Sequence, residues 1–196
     1  MKKGLFFGFV FAAAVAAAAV FFVKHSEEAG RYVRYDTGFL PASFDYPAGW
    51  KLTEDKGIVQ KYKQAMMVGP RNEDKTFSAA FTVIVSPTKE KGGLFSSVDE
   101  LKTHNLVHLF DDPRVVELSS RQVGGAPAQD VTAVFERPPF RIQGLPHKTI
   151  PVKERMLLFQ KDSRLFEIRY SADQQEYPKH LKDFEHLVAS IRLKSA

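Results

Sequence analysis

One stretch of the chain decides the fold: Phe77-Ser-Ala-Ala-Phe-Thr-Val-Ile-Val-Ser-Pro87. Its middle is apolar at both odd and even positions, whereas a strand with one solvated face would alternate. The stretch is short, rich in β-branched residues and closed by Pro87, so it favours a strand over a helix. We therefore predict that Phe77–Ser86 is the central strand of a sheet that is covered on both faces.

Two helices are predicted to cover this sheet. The first, Val98–Phe110, follows the capping-box sequence Ser97-Val-Asp-Glu100, in which the serine and glutamate bond each other's backbone amides. The second begins near Pro178, because proline is favoured in the first turn of a helix. It carries an apolar stripe at helical spacing: Leu181, Phe184, Leu187, Val188 and Ile191. Between the central strand and the first helix, Thr88–Ser96 is predicted to be a mobile loop.

The other strands are indicated by short apolar runs that end in turn residues. They are Phe44–Trp50, Val59–Val68, Val115–Val123, Ala126–Glu136, Val152–Gln160 and Leu165–Ser171. Gly124-Gly125 is typical of a two-residue hairpin turn, and Gly69-Pro70 is expected to end the second strand. Trp50 is predicted to anchor the core. These elements predict an α/β fold, an α/β/α sandwich with a central, mostly antiparallel sheet.

The N-terminal segment is typical of a membrane anchor. Lys2 and Lys3 precede Gly4–Val23, which contains no charge and is long enough, at 1.5 Å per residue, to cross about 30 Å of hydrocarbon. The alternative is a signal peptide cleaved after Ala17-Ala18-Ala19. In both cases the lysines stay in the cytoplasm, so the following domain is exported.

The expected organisation is therefore a transmembrane helix at residues 1–24, a tether at 25–38 and one α/β/α domain at 39–196. The predicted location is the bacterial cytoplasmic membrane, crossed once, with the C-terminal domain on the periplasmic side. The net charge is +5, but three of these charges belong to residues 1–24, so the rest gives little support for nucleic-acid binding. The absence of cysteine excludes disulfides, thiolate metal sites and cysteine nucleophiles.

The chain resembles a known family at three places. Phe44-Asp-Tyr-Pro-Ala-Gly-Trp50, the strand end Val83-Ile-Val-Ser-Pro87 and the helix end Ala189-Ser-Ile191 are similar to the PsbP-like family, which includes an extrinsic photosystem II subunit and exported bacterial relatives. The resemblance covers most of residues 39–193. It implies an α/β/α sandwich that acts as a binding or assembly module without a common enzymatic activity.

The predicted binding surface is the stretch Arg137–Pro151. It contains four prolines, and between residues 137 and 153 there are four cations and no acid. Long connections on rigid scaffolds often hold binding residues, although this one could instead protect a sheet edge. The candidate binding residues are Arg137, Phe140, Arg141, Ile142 and Lys148, with Leu94 and Phe95 as a second site.

A metal site is a weaker candidate. His104 and His108 are four residues apart on the first predicted helix, which would let two imidazoles share a metal. Asn105 follows the first histidine, so the His-Glu-x-x-His protease arrangement is absent. Nucleophile elbows, phosphate loops and dinucleotide fingerprints are missing as well. The sequence therefore predicts a non-enzymatic protein without a cofactor.

Two hypotheses for function follow. In the first, a membrane-anchored, exported module docks an envelope protein or an anionic lipid surface through residues 137–151. In the second, the domain carries a metal ion or a small or lipid ligand in a cleft between a helix and the sheet. Neither hypothesis involves nucleic acid.

Overall fold

The computed structural model describes residues 31–57, 61–73, 75, 77–108, 113–137 and 149–194. Residues 34–196 form one compact unit, which is described below together with the start of the first strand. No helix within these described ranges is long and apolar enough to cross a membrane. The predicted anchor at residues 4–23, and the alternative signal peptide, lie outside the described residues.

The described residues form ten strands and two α-helices. In chain order the strands are β1 (Tyr32–Tyr35), β2 (Ala42–Pro47), β3 (Lys51–Lys56), β4 (Lys63–Arg71), β5 (Ser78–Pro87), β6 (Arg114–Val123), β7 (Ala126–Arg137), β8 (Ile150–Lys161), β9 (Arg164–Asp173) and β10 (Arg192–Leu193). The helices are α1 (Val98–His108) and α2 (Tyr177–Ser190). The predicted capping box of α1 is confirmed in one of its two bonds: Ser97 Oγ accepts a bond from Glu100 N, whereas the Glu100 carboxylate accepts one from Ser96 N, one residue before the predicted Ser97.

Seven strands form one antiparallel sheet in the order β3-β4-β5-β9-β8-β7-β6. The middle position belongs to β9, so the prediction that Phe77–Ser86 is the central strand was wrong by one place. Strand β5 is nevertheless interior, paired with β4 on one side and β9 on the other. Its length and apolarity place it inside the sheet, and only the connectivity decides which interior strand lies in the middle.

The sheet separates two hydrophobic cores. Along β5, residues at odd positions such as Phe81 and Val83 are fully buried on the α2 side, whereas residues at even positions such as Ile84 are half-buried on the α1 side. Helix α2 packs Phe184 and Leu187 into the first core, and α1 packs Leu101 into the second. Both faces are therefore covered, as predicted, but α1 covers its face incompletely.

A separate three-stranded sheet has the order β1-β2-β10. It corrects two predictions. Phe44–Trp50 contributes β2 to this small sheet and not to the main one. The folded unit also begins before residue 39, because Tyr35 is 1% exposed and stacks on Phe44 with ring centroids 4.6 Å apart. The part of the predicted tether from Arg34 onward thus belongs to the domain.

The two predicted hairpins are confirmed to within a few residues at each end. In the first, Gly124 and Gly125 both have positive φ, +56° and +80°, as a primed turn requires. In the second, β8 and β9 pair throughout from Val152–Asp173 to Lys161–Arg164.

Strand β4 continues through Gly69-Pro70, which were expected to end it, and a bulge between Val68 and Arg71 accommodates them. The glycine is needed because a Cβ there would lie 2.6 Å from the indole of Trp50. Trp50 in turn packs on Phe81, with ring centroids 4.4 Å apart, which confirms its role in the core.

An ion-pair network joins α2 to strands β6, β7 and β8. Arg155 of β8 donates two hydrogen bonds to the Asp130 carboxylate, at 2.8 and 2.5 Å, and one to Glu185 of α2 at 2.6 Å. Arg121 of β6 donates to the same Glu185 at 2.8 Å. Two cations and two carboxylates balance, so this network joins three strands and a helix without an excess of charge.

Candidate functional site

A cleft of about 240 Å³ opens between α1 and the sheet. We call it the helix–sheet cleft. Its lining comes from six elements, namely strands β4, β5 and β9, helix α1, the loop before α1 and the turn before β4. The lining residues are Tyr62, Gln64, Ile84, Ser86, Leu94, Phe95, Leu101, His104, Asn105, Glu167 and Arg169.

The floor of the cleft carries a buried ion-pair cluster. Glu167 and Arg169 of β9 point to the α1 side, because they alternate with the apolar residues of β9 that face α2. The Arg169 guanidinium donates through Nε to Glu167, and its Nη1 lies 3.4 Å from Oε1 of Glu154 on β8. Glu167 is 4% exposed and Glu154 is 6% exposed, so a single guanidinium serves two buried carboxylates.

Burial controls the ionisation of this cluster. The pKa of Glu154 is raised above its ordinary value, because desolvation of the carboxylate outweighs the attraction of Arg169, a hydrogen bond from Ser171 and the charge of Arg137. Protonation of Glu154 therefore requires less acid than protonation of an exposed glutamate. The cluster combines charge with a low-dielectric setting, where electrostatic interactions are strong.

Helix α1 forms one wall with an inner face that is only partly apolar. Leu101 is buried, but the next position on that face is Asn105, which is 6% exposed. The Nδ2 atom of Asn105 is buried without a hydrogen-bond partner in the described part of the chain. Such a group costs about 1–3 kcal/mol in desolvation, and this donor lies beside the cleft.

The loop before α1 forms the rim of the cleft and is held by the backbone. Lys89 N donates to Phe95 O at 2.8 Å, and Gly93 N donates to Thr88 O at 3.0 Å. A Cβ on Gly93 would lie 1.8 Å from the carbonyl oxygen of Pro87. The stretch Thr88–Ser96, which was predicted to be a mobile loop, thus contains these backbone hydrogen bonds and a short 3-10 helix at Lys89–Lys91. Its glycines permit close backbone contacts and a left-handed turn, at Gly92 with φ of +84°.

Three of the residues singled out from the sequence meet at this cleft. Leu94 is 45% exposed at the rim, and Phe95 packs on His104 with ring centroids 4.8 Å apart. His108 lies on α1, but its side chain is outside the described residues. Among the side chains that are described, no group of three His, Cys, Asp or Glu residues converges on a common metal position.

The stretch Arg137–Pro151 lies mostly outside the described residues, including Phe140, Arg141, Ile142 and Lys148. Its base is described, since β7 and β8 pair as far as Arg137 and Ile150. The Arg137 guanidinium lies 5.3 Å from the centroid of the Phe77 ring. Arg137 is half-buried at this contact, so it also fastens the base of the stretch to the domain.

The polar residues beneath the helix–sheet cleft were not predicted from the sequence. Glu167 and Arg169 are charged residues at alternate positions of β9, whose other face is apolar, whereas Glu154 lies between Val152 and Met156 on the apolar face of β8. Alternation is ordinarily the sign of a solvated face. A helix predicted to cover that same face was the signal that these charges would be buried and paired.

No family model matches the sequence, and no curated protein matches it. Solved structures do match. The solution structure of cyanobacterial PsbP (CyanoP) from Synechocystis sp. PCC 6803 has 15% sequence identity and a TM-score of 0.50, covering 84% of this chain and 93% of that chain. LpqN of Mycobacterium tuberculosis, which is described as involved in cell envelope biogenesis, has 13% identity and a TM-score of 0.51, covering 84% and 91%.

At these identities the likeness concerns the fold. The large antiparallel sheet and the two helices agree with it, and the domain has the PsbP-like fold.

Proposed function

We propose that this protein is a non-enzymatic, exported binding module that holds a small ligand in the helix–sheet cleft. The observation that carries the proposal is the cleft itself, in which a polar floor and an apolar rim meet the Nδ2 atom of Asn105, which has no hydrogen-bond partner among the described residues. Ligand pockets generally combine apolar walls with a few convergent polar groups. Of the two hypotheses drawn from the sequence, this carrier role is the one that the described residues support.

Export is supported by the sequence of residues 1–24 and by the fold of LpqN, an envelope-biogenesis protein. A binding role, as opposed to catalysis, is supported by the resemblance to PsbP-like proteins and by the absence of known catalytic motifs from the sequence. An uncleaved anchor is expected to keep the protein in membranes washed with alkaline carbonate. A mature N-terminus after Ala19 would show a cleaved signal peptide instead.

The carrier role is tested by what the purified protein contains. Full-length protein in lipid nanodiscs is denatured, and the small molecules released are quantified by mass spectrometry. Ser86→Phe fills the cleft from its floor, and Ser119→Phe places the same side chain on exposed β6 as a control. We expect a stoichiometric molecule from the wild type and from Ser119→Phe, and at least about tenfold less from Ser86→Phe.

Equal release from all three proteins would overturn the carrier role, as would release of no small molecule by the wild type. Thermal unfolding must show that Ser86→Phe is folded. If it is not, Ser86→Leu is the smaller replacement.

Docking through residues 137–151 is the second candidate. It is supported by three cations within the stretch, a fourth at Lys153, and the apolar residues Phe140, Ile142 and Leu145. Prolines reduce the entropy lost on binding, and charge of one sign steers association with an acidic protein or an anionic lipid surface. The two candidates are compatible, because the stretch and the cleft use different residues.

A further inference from the structure

We propose that the helix–sheet cleft takes a small amphipathic ligand that carries a protonated amine with an oxygen acceptor beside it. An amino alcohol is the simplest such molecule. The inference rests on the proposed carrier function and adds the chemical class of the ligand. It rests on three observations: the charged residues at the floor, the Asn105 Nδ2 donor on α1 that has no partner among the described residues, and the composition of the walls.

The amine follows from the charges at the floor. Among the described residues that line the cleft, Glu167 and Arg169 are the Asp, Glu, Lys or Arg residues. The guanidinium of Arg169 also reaches Glu154, which lies beneath the cleft, does not line it and is within the field of Arg137 as well, whereas the described ion pair of Glu167 is with Arg169. The one described hydrogen bond of Glu167 comes from Arg169, which leaves its second carboxylate oxygen for a ligand. An ammonium group would complete the ion pairing of a carboxylate that is 4% exposed.

The acceptor follows from Asn105. Its Nδ2 is a buried donor without a partner in the described residues. A side-chain amide nitrogen only donates, so the group that satisfies it must be an oxygen or another acceptor. Because Asn105 and Glu167 line the same cleft from opposite walls, one ligand can present an acceptor to α1 and an ammonium to the sheet.

The walls define the rest of the ligand. Leu94, Ile84 and Leu101 offer aliphatic surface, and Tyr62 and Phe95 offer aromatic faces that also attract cations. The volume of about 240 Å³ lies below the roughly 300–1,000 Å³ typical of pockets for drug-sized ligands. The ligand, or the part of it that enters, is therefore small and carries a short apolar group.

Isothermal titration of the full-length protein in nanodiscs tests this class with four matched probes. Leucinol has the amine, the hydroxyl and a branched apolar tail. 4-Methylpentan-1-ol lacks the amine, 4-methylpentan-2-amine lacks the hydroxyl, and 4-methylpentanoate has the opposite charge. We expect leucinol to bind at least about tenfold more tightly than 4-methylpentan-1-ol and than 4-methylpentan-2-amine. We expect 4-methylpentanoate to bind most weakly of the four.

Two variants assign the effect to residues. Glu167→Gln keeps the shape and an acceptor for Arg169 and should remove the preference for the amine. Asn105→Leu should remove the preference for the hydroxyl. Glu136→Gln, at an exposed position of β7, is the matched charge control and should bind leucinol as the wild type does.

If 4-methylpentan-1-ol binds as tightly as leucinol, or if Glu167→Gln binds leucinol unchanged, the assignment of an amine is overturned. The absence of binding by every probe overturns it as well. The carrier function is judged separately by the released molecule. A ligand that is lost in Ser86→Phe but contains no amine would uphold the carrier function and reject this inference.

Discussion

Val83 and Ile84 are consecutive residues of β5 whose side chains lie in different environments on opposite faces of the sheet. Val83 is 1% exposed in the core beneath α2, whereas Ile84 is half-buried at the helix–sheet cleft. In the register of β5 and β9, Val83 lies opposite Ile168 and Ile84 lies opposite Glu167. One face of the strand is thus a closed apolar layer, and the other borders the ion-pair cluster.

This difference predicts unequal effects of one substitution at the two positions. Val83→Asn should lower the free energy of unfolding by several kcal/mol, because it buries an amide among apolar side chains. Ile84→Asn should cost only about 1 kcal/mol, since the cleft leaves the amide in contact with water. Chemical denaturation followed through Trp50, the only tryptophan, measures both. Equal losses would show that the α1 side is as closed as the α2 side.

A second prediction concerns the pH dependence of stability. The folded-state pKa of Glu154 is raised, so its contribution to stability is complete at low pH and is lost as the pH rises from the ordinary value of 4.5 through the folded pKa. The free energy of unfolding of Glu154→Gln, measured relative to the wild type, should therefore increase as the pH rises through that window. Denaturation midpoints at a series of pH values give this difference.

Glu54 provides the matched control with the opposite sign. Its carboxylate accepts hydrogen bonds from Tyr35 Oη at 2.7 Å and Thr37 Oγ1 at 2.6 Å, and these lower its pKa. The stability that it contributes is present above 4.5 and is lost as the pH falls through the folded pKa. Glu54→Gln should thus lose stability relative to the wild type as the pH rises. Parallel behaviour of the two variants would contradict the assigned burial of Glu154.

A third prediction distinguishes two reasons why a position requires glycine, namely a steric clash of any Cβ and a positive φ. Gly93→Ala should lower the free energy of unfolding by more than about 3 kcal/mol, because its Cβ would collide with the Pro87 carbonyl. Gly125→Ala, at φ of +80° with no atom within 4 Å of the new Cβ, should cost about 1–2 kcal/mol from backbone strain alone. Thermal and chemical unfolding measure both. A mild effect at Gly93 would show that the rim of the cleft can move.

A fourth prediction concerns docking. Arg141→Glu with Lys148→Glu should reduce capture of an acidic envelope partner from solubilised membranes by about tenfold or more, with little change in the thermal midpoint. Arg137→Ala should instead lower the midpoint, because it removes the contact with Phe77. Unfolding of the double variant would indicate that residues 137–151 have a structural role. Undiminished capture at full stability would place any docking site elsewhere.

The elements that carry strong local signals could be predicted from the sequence. The capping box at Ser97, the glycine pair at Gly124-Gly125 and the apolar stripe of α2 each act over a few residues, and each is where it was expected. Strand β3, Lys51–Lys56, was missed because it is an edge strand with mostly exposed, charged side chains. It is defined by its pairing with β4, which no local pattern encodes.

Only the residues at the rim of the candidate site could be predicted from the sequence. Leu94, Phe95 and His104 stood out by residue type and lie close together in the chain, but the floor beneath them depends on the register of β5, β8 and β9. That register puts Glu154, Glu167 and Arg169 on one face under α1. Residues more than 50 positions apart form the cleft, so its floor depends on tertiary pairing.

The small sheet has a consequence for how the domain reaches its folded state. Its strand β10 pairs Arg192 with Ser43 and Leu193 with Ala42, which joins nearly the first and nearly the last residues of the folded unit. Contacts of such long sequence separation form late, after a large loss of chain entropy. If the chain crosses the membrane from its N-terminus, β2 has no β10 to pair with until Arg192 and Leu193 have been translocated. The small sheet then closes only after almost the whole domain has crossed.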